Sequence, residues 1–357
     1  MGAVVACTVL LSLACRQAQS DGPKESPAAD GSPSGTPEAT PGGPSDGGEI
    51  SVGSKPWGVA VDSEANRIYV ANEGDNTLSV LDAASGKLVR TIDVGTGPSS
   101  VAVNTLTGRV YVTNLLSDSV SVISVETLSV VATVPVGDSP WDVAVDPGLN
   151  RIYVTVSDED RVAIIDGEKD SVVATIPVDG TPKGVGVDPS SHLIYVTSAD
   201  KRADSVTVVD PSSGETQGVI RTDEAPWGVA VDPARNRVYV ANSEGDSVTV
   251  IDGAAGTVVG TVAVGTGPVS VAVDSEAGSV FVANSFGDSV SVIDPGTLTV
   301  VRTLCTGGRP WDLSMDNENA RLYVANAGSD SVSVFDDPAA AGSAGRSSCS
   351  HGQPGPG

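Results

Sequence analysis

The chain has few of the residues on which most enzyme sites depend. Its 357 residues include only two histidines, His192 and His351. It contains no CxxCH haem attachment site, no HExxH or GxSxG motif and no P-loop. General acid–base chemistry would therefore fall on aspartate or glutamate alone. The sequence predicts no catalytic residue, no metal site and no cofactor, although its many acids would permit a central Ca²⁺.

Positive charge is also scarce. The chain has 20 Lys and Arg against 45 Asp and Glu, a formal net charge of −25 that argues against a nucleic-acid partner. Many of the acids, eighteen in three sets, recur where strands end or begin, so we interpret them as turn formers rather than ligands. Arginines such as Arg67 and Arg321 lie across a hairpin from the acids that end the first strands, and they are expected to offset part of the charge of those acids. The sets are Asp62, Asp146, Asp188, Asp232, Asp274 and Asp316; Asp82, Asp166, Asp210, Asp252, Asp294 and Asp336; and Asp118, Asp160, Asp204, Asp246, Asp288 and Asp330.

Outside the N-terminus no long segment has a helical period, and short strand-like runs take its place. Prolines open near copies of one sequence at intervals of 42, 42, 42, 44, 42 and 42 residues. They are Pro56, Pro98, Pro140, Pro182, Pro226, Pro268 and Pro310. The first unit has four runs rich in β-formers, Gly58–Asp62, Arg67–Asn72, Thr77–Asp82 and Leu88–Val94. A period in the low forties built from short strands predicts a β-propeller with one blade per repeat.

The two ends of the repeat array complement each other. The last repeat, 310–336, contains only three strand-like runs, Trp311–Asp316, Arg321–Asn326 and Ser331–Asp336. Residues 50–56, Ile-Ser-Val-Gly-Ser-Lys-Pro, match the blade-closing run Ile-Asp-Val-Gly-Thr-Gly-Pro at 92–98. We therefore predict an all-β fold over residues 49–336, a seven-bladed β-propeller with four-stranded antiparallel blades. We expect its ring to be closed by an N-terminal strand that completes the last blade.

The repeats resemble a known family. Tyr-Val-Thr-Asn at 111–114, and Tyr-Val-Ala-Asn at 69–72, 239–242 and 323–326, are similar to the YVTN β-propeller repeat. The Ser-Val-Ile-Asp and Val-Gly-x-x-Pro segments agree with it. The resemblance covers about residues 49–336 and implies a seven-bladed propeller of exported or cell-surface bacterial and archaeal proteins. It implies no shared catalytic residue.

The N-terminus has the composition of an export signal. Residues 3–14 form an apolar run too short to span a bilayer, and it ends in Leu-Ser-Leu-Ala-Cys at 11–15. This resembles a bacterial lipoprotein signal in which Cys15 becomes the lipidated first residue. Ser12 stands where Leu is preferred, and no basic residue precedes the run, which a start codon further upstream would explain. The alternatives are processing at Cys7 and an ordinary signal peptide that is cleaved without lipidation.

The two flanks of the repeats have a composition unsuited to a packed core. Residues 16–48, dense in Pro, Gly, Ser, Asp and Glu, are predicted to be a disordered tether between lipid and propeller. The tail, 337–357, is similar and is also expected to be disordered. Cys305 in repeat six and Cys349 in the tail are candidates for a disulfide in an oxidising compartment, the alternative being two free thiols.

Aromatic residues are few and fall into two columns. All six Tyr, with Phe281 in the remaining repeat, occupy one mid-strand position, which indicates packing between neighbouring blades. All four Trp follow the opening proline, but only in repeats one, three, five and seven. The loop that enters the innermost strand lies on the top face of a propeller, beside the central funnel. These Trp are therefore candidates for binding a peptide or sugar, the alternative being packing between blades. They are Trp57, Trp141, Trp227 and Trp311.

Repeat four departs most from the pattern. It has Lys183 in place of Trp and two extra residues in its second-to-third strand loop, 198–204, which carries Lys201 and Arg202. Both loops are expected on the top face, where they would form a small basic spot. An insertion in one repeat often marks a binding face, although drift in a tolerant loop is the alternative.

These observations favour a non-catalytic binding or structural module. We expect an exported, lipid-anchored monomer at the bacterial cell surface or periplasm, with a protein, peptide or glycan on its top face and membrane contact through the lipid alone. The alternative is an enzyme similar to propeller lactonases or lyases, with acids and histidine converging in the funnel. A redox-partner propeller is disfavoured because the sequence shows no haem or metal ligands.

Overall fold

The computed structural model describes residues 48–199, 204–339 and 349. These residues form 28 β-strands and one 3₁₀ turn at Ser157–Glu159. In this described part, no helix is long and apolar enough to cross a membrane. The predicted signal and lipidation site at Cys15, nearly all of the tether and most of the tail lie outside it.

The first four blades are consecutive four-stranded sheets in which every strand pairs antiparallel with the next. Blade one comprises β2 (Pro56–Asp62), β3 (Arg67–Asn72), β4 (Thr77–Asp82) and β5 (Leu88–Asp93). Blade two comprises β6 (Pro98–Asn104), β7 (Arg109–Asn114), β8 (Ser119–Ser124) and β9 (Ser129–Pro135). Blade three comprises β10 (Pro140–Asp146), β11 (Arg151–Val156), β12 (Arg161–Asp166) and β13 (Ser171–Pro177). Blade four comprises β14 (Pro182–Val187), β15 (Ile194–Ser198), β16 (Ser205–Asp210) and β17 (Glu215–Arg221).

The remaining blades repeat this plan, with one change in the last. Blade five comprises β18 (Pro226–Asp232), β19 (Arg237–Asn242), β20 (Ser247–Asp252) and β21 (Thr257–Ala263). Blade six comprises β22 (Pro268–Asp274), β23 (Ser279–Asn284), β24 (Ser289–Asp294) and β25 (Thr299–Cys305). Blade seven comprises β26 (Pro310–Asp316), β27 (Arg321–Asn326), β28 (Ser331–Asp336) and β1 (Gly48–Ser51). β1 pairs antiparallel with β28, with Ile50 opposite Val332.

The seven sheets are arranged in a ring. The first strand of each blade contacts the first strand of the next, and β26 of blade seven contacts β2 of blade one. The fold is a seven-bladed β-propeller. In each blade the loop before strand one and the loop between strands two and three lie at the same end, since Pro56 is opposite Asn72 and Asn72 opposite Thr77. We call this end of the ring the top face, and the opposite end the bottom face.

The first strands begin earlier than the sequence runs indicated. β2 starts at Pro56 rather than Gly58, and β26 at Pro310 rather than Trp311. The opening proline is opposite the last residue of strand two, and the register shifts immediately after it in every blade. A bulge of this kind interrupts the alternation of side chains, which hides the first two residues of the strand from a period-two pattern.

Seven apolar clusters hold the blades together, and the buried residues of each come from two neighbouring blades. The mid-strand aromatic of one blade packs among the first and second strands of the next, as Tyr69 does against Val101, Val110 and Val112. Tyr323 of blade seven packs in the same way against blade one. Each of the six Tyr and Phe281 exposes 2 % or less of its surface. The expected packing role of the Tyr column is confirmed.

Buried asparagines explain two further features of the repeat. Asn114 at the end of β7 is fully buried, and its side-chain amide donates hydrogen bonds to Ser119 and Ser121 of β8. The equivalent residues of blades one, five, six and seven donate in the same way. The glycine of the Val-Gly-x-x-Pro segment lies directly against this amide, because a β-carbon on Gly95 would be 2.5 Å from Asn114 Cγ.

The repeated acids are used by the turns and by the boundaries between blades. Asp62 accepts from the amide of Ala65 in its own turn. Asp330, directly before β28, has a positive φ of 51°, and its carboxylate accepts from the amide of Lys55 in the loop that opens the next blade. Side-chain oxygens of Asn76, Asp118, Asp246 and Asp288 accept equivalent bonds from backbone amides and join other neighbouring blades. The acids at these positions therefore act as turn formers and as links between blades.

Four of the arginines that open the second strands form ion pairs with the acids that end the third strands. Arg67 Nη1 lies 3.3 Å from Asp82 Oδ2, at the end of the third strand. Arg151, Arg237 and Arg321 pair with the corresponding third-strand acids. Both Asp62 and Asp82 are opposite Arg67 in register, and Oδ1 of each accepts hydrogen bonds within its own turn. The guanidinium of Arg67 donates to Oδ2 of Asp82.

A disulfide joins Cys305, the last residue of β25, to Cys349, with the two Cα atoms 5.3 Å apart. The segment after β28 also contacts blade six, because Arg302 donates to the carbonyl of Pro338 and Ala339 packs on the cluster between blades six and seven. The disulfide therefore fastens a residue of the tail to the outer strand of blade six.

Replacing Gly95 by alanine should lower the free energy of unfolding by about 1–3 kcal/mol, because the new methyl group overlaps Asn114 and Ser117. Gly218→Ala is the matched control, since a β-carbon there meets nothing within 4 Å. That variant should be neutral or stabilised by about 0.5 kcal/mol. Urea unfolding followed by circular dichroism measures both, and equal stability of the two variants would contradict the packing described.

Candidate functional site

The centre of the ring is lined by the residues that follow each opening proline. The seven first strands surround it, and the bulge after the proline is the irregularity that redirects side chains there. The sequence-predicted Trp57, Trp141, Trp227 and Trp311 all lie at this position and line one common cavity.

The four Trp side chains form a closed cycle of contacts, which we call the tryptophan ring. The indole centroids of Trp57 and Trp311 are 5.1 Å apart and nearly stacked, with 18° between planes. Trp227 meets Trp141 and Trp311 edge to face at 5.4 and 5.6 Å. Trp57 and Trp141 close the cycle at 5.9 Å. These are the favourable geometries of aromatic pairs, and unlike the Tyr column all four side chains remain partly exposed.

Lys183 of blade four reaches into this ring. Its Nζ lies 4.3 Å from the ring centroid of Trp141 and 5.9 Å from that of Trp227, within the range of a cation–π contact. Burial lowers the pKa of the ammonium group, and the negative charge of Asp158 partly opposes that effect. Of the three basic candidates in blade four, only Lys183 belongs to the described residues. Lys201 and Arg202 lie outside them.

Two aspartates in the cavity were not singled out by the sequence analysis. Asp142 Oδ1 accepts hydrogen bonds from Ser100 Oγ at 2.7 Å and from the amide of Val143, and its Oδ2 accepts from the amide of Val185 in blade four. Asp312 repeats the arrangement: Oδ1 accepts from Ser270 Oγ at 2.7 Å, and Oδ2 from the amide of Val59 in blade one. Each carboxylate thus links three consecutive blades.

The environment of both aspartates disfavours their charged forms. Burial raises the pKa of Asp312 to about 6; its hydrogen bonds from Val59 and Ser270 oppose this, and the nearby charge of Asp142 adds to it. Burial likewise raises the pKa of Asp142. Protein atoms surround both carboxyls, yet each stays partly accessible to water because it faces the cavity.

The sequence does carry a signal for these residues, one position after the Trp column. That position reads Gly58, Ser100, Asp142, Gly184, Gly228, Ser270 and Asp312. The glycines are required because the backbone of the next blade lies close to them. A β-carbon added to Gly184, for example, would be 2.3 Å from the carbonyl oxygen of Trp227. The Gly-Ser-Asp order of blades one to three recurs in blades five to seven.

The cavity is small. It has a volume of about 70 Å³ and is lined by the tryptophan ring, the two aspartates and Ser99, Ser100, Gly184, Gly228, Val269 and Ser270. A site for a drug-sized ligand measures roughly 300–1,000 Å³. This space fits a small polar or charged group and several waters rather than a whole sugar ring. A larger partner would therefore rest on the exposed edges of the Trp side chains and on the loops around them.

Other potential ligand groups lie elsewhere. The Nδ1 atom of His192 is 2.7 Å from Asp146 Oδ2 of the neighbouring blade, in the loops of the bottom face. Within residues 48–199 and 204–339, no three His, Cys, Asp or Glu side chains converge as a metal site would require.

Comparison with known proteins agrees with the fold. Residues 261–347 match the sequence model of the YNCE-like beta-propeller family. A solved structure, "Kuenenia stuttgartiensis Hydrazine Synthase", is similar with a TM-score of 0.73 and 19% sequence identity, over 80% of this chain and 97% of that chain. No curated protein matches the sequence. The chain is a β-propeller. Both similarities concern the fold, and the family match covers the end of blade five, the whole of blade six and β26 to β28 of blade seven.

The raised pKa of Asp312 makes a pH prediction. An Asp that titrates near 6 in the folded protein and near 3.8 when unfolded destabilises the fold by up to about 3 kcal/mol at pH 7. That penalty disappears as the pH falls through 6 towards 4, because the folded state then binds the additional proton. The free energy of unfolding of the wild type should therefore rise relative to Asp312→Asn as the pH is lowered from 7 to 5.

The measurement is urea unfolding of the two proteins across that pH range. Asp93→Asn, at an exposed strand end, serves as the control and should stay parallel to the wild type. Parallel curves for Asp312→Asn as well would show that Asp312 titrates normally.

Proposed function

We propose that this chain is an exported, lipid-anchored propeller of the cell envelope that binds a partner on its top face without catalysing a reaction. The partner is a protein, peptide or glycan, and the propeller acts as a monomer. The observation that carries the proposal is the tryptophan ring. The Tyr column supplies packing between blades and is buried, whereas all four Trp converge on one place and keep part of their surface exposed.

Other groups on the top face extend the surface around the ring. Leu116 and Phe286, in the second-to-third strand loops of blades two and six, expose 65% and 66% of their surface. Exposed apolar side chains near aromatic residues are common at protein-binding surfaces. Acids surround them and would favour a partner with positive charge. They include Asp75, Asp118, Asp138, Asp158, Glu159, Asp160, Glu224, Glu244, Asp246 and Asp330.

The geometry of the two aspartates favours binding over the lactonase- or lyase-like alternative. A catalytic acid or base directs an oxygen towards the substrate. Both oxygens of Asp142 and of Asp312 already accept hydrogen bonds from amides or serine hydroxyls of the propeller itself. Among the described residues, no histidine lines the cavity. The aspartates thus hold the blades and set the charge of the cavity.

Export and anchoring are supported by the N-terminal sequence. The apolar run, Leu-Ser-Leu-Ala-Cys at 11–15 and the polar segment that follows are the order of parts found in a surface lipoprotein. A lipid on Cys15 would place the propeller at the membrane without a spanning segment.

Substituting Cys15 should release the protein from the membrane. We expect wild type in the detergent phase of a Triton X-114 partition of envelopes, and Cys15→Ser in the aqueous phase, since the lipid would be lost. Cys7→Ser is the matched control and should remain in the detergent phase. If Cys7→Ser lost its anchor and Cys15→Ser did not, the lipidated residue would be Cys7. Wild type in the aqueous phase would indicate a signal peptide that is cleaved without lipidation.

A photo-reactive amino acid on the top face should capture the partner. We expect a discrete adduct from position 286 in intact envelopes of the producing cells. Position 106 is the matched control, because Leu106 exposes 73% of its surface in a bottom-face loop of blade two. Equal adducts from both positions, or adducts from 106 alone, would contradict binding at the top face.

A further inference from the structure

The tryptophan ring already holds a cation, and that cation belongs to the chain. The face of an indole carries partial negative charge and attracts ammonium groups, most strongly where water is excluded. Lys183 Nζ lies within 6 Å of two of the four indole centroids, at 4.3 and 5.9 Å. Blade four is the one blade with a lysine at this position, where odd-numbered blades have Trp and the other even-numbered blades have Ser99 and Val269.

The cavity beside the ring has the charge of a cation site. Asp142 and Asp312 line it together with the four Trp, and none of the described residues that line it is basic. Hydrogen bonds from amides and serines occupy both oxygens of each carboxylate. The aspartates therefore supply negative potential at a distance rather than metal ligands, which suits a weakly hydrated organic cation better than a metal ion.

The volume of the cavity limits the size of the group that can bind there. About 70 Å³ accommodates an ammonium group but not a sugar ring or an aromatic side chain, and displacement of Lys183 adds room for substituents. The rest of the ligand would extend towards the loops of the top face.

We propose that the tryptophan ring and its cavity bind an alkylammonium group, and that Lys183 occupies the indole faces in the free protein as an internal competitor. A ligand cation displaces the Lys183 ammonium from the indole face of Trp141 and occupies the adjoining cavity, where the two aspartates supply negative potential. The same chemistry is offered by a lysine side chain of a partner protein and by a small quaternary ammonium compound. This inference rests on the proposed binding function and names the chemistry of its central contact.

The intrinsic fluorescence of the protein reports directly on this site, because all four Trp of the chain belong to the ring. We would titrate the protein with tetramethylammonium chloride at constant ionic strength, maintained with sodium chloride. The neutral control ligand is tert-butanol, which has a similar shape and no charge. Tetramethylammonium should change the fluorescence in a saturable way, and tert-butanol should not.

Removing the internal competitor should tighten binding. Lys183→Met keeps the length of the side chain and loses the charge, and we expect an affinity for tetramethylammonium about tenfold higher than that of wild type. Lys87→Met, at an exposed lysine of blade one, is the matched control and should bind as wild type does. Lys183→Gln provides a second uncharged variant if the methionine packs into the ring, and Trp141→Leu should abolish the response while the thermal unfolding transition persists.

Two results would overturn the proposal. One is unchanged or weaker affinity in both Lys183 variants, which would mean that the lysine does not compete. The other is an equal response to tert-butanol, which would mean that the site recognises shape rather than charge. Titration with Nα-acetyl-lysine methylamide then separates the sources: preference for it indicates a lysine of a partner protein, and preference for tetramethylammonium a small quaternary compound. A saturable ammonium response without any adduct from position 286 would leave the cation site intact and refute the macromolecular partner.

Discussion

The fold depends on burying both faces of every blade. A four-stranded sheet of this composition is apolar on two sides, and water cannot cover either. Each of the seven clusters therefore joins an aromatic residue of one blade to the valines and isoleucines of the next, from Tyr69 in blade one to Tyr323 in blade seven. Because the last interface has the same composition as the others, no sheet face of the ring is left over.

This packing fixes the centre of the molecule. Once the second strands are held against each other, the first strands are brought side by side, and residues distant in the sequence meet there. The Val59 amide of blade one and the Asp312 carboxylate of blade seven form a hydrogen bond of 2.9 Å. The tryptophan ring is a product of the same closure, since Trp57 and Trp311 stack across the junction between the first and last blades. The tryptophan ring thus depends on the apolar packing between blades, which lies outside the site.

The repeat made the fold predictable from the sequence, because each strand, turn and packing residue is written seven times. The same regularity hid the aspartates of the cavity. Asp142 and Asp312 stand among many acids that serve turns, and their one distinction is a place next to Trp rather than at a strand end. The mutual contacts of the Trp residues also could not be predicted from the sequence, because they depend on side-chain directions set by the bulge after each proline. The ion-pair partner of Arg67 also could not be read from the sequence, because Asp62 and Asp82 are both opposite it in register.

The two residues after the opening proline are Trp-Gly in blades one and five and Trp-Asp in blades three and seven, and blades two and six both have Ser second. Blade four has no counterpart in this pattern. Two equal halves cannot fill an odd-numbered ring, so the centre has a direction that a symmetric ring would lack. Lys183 stands at the blade that breaks the symmetry, against Trp141 and Trp227 but not against the stacked pair on the far side. A ligand entering the centre therefore meets two unlike walls, and a chiral or elongated molecule would be held in one orientation out of the two that a twofold site would accept.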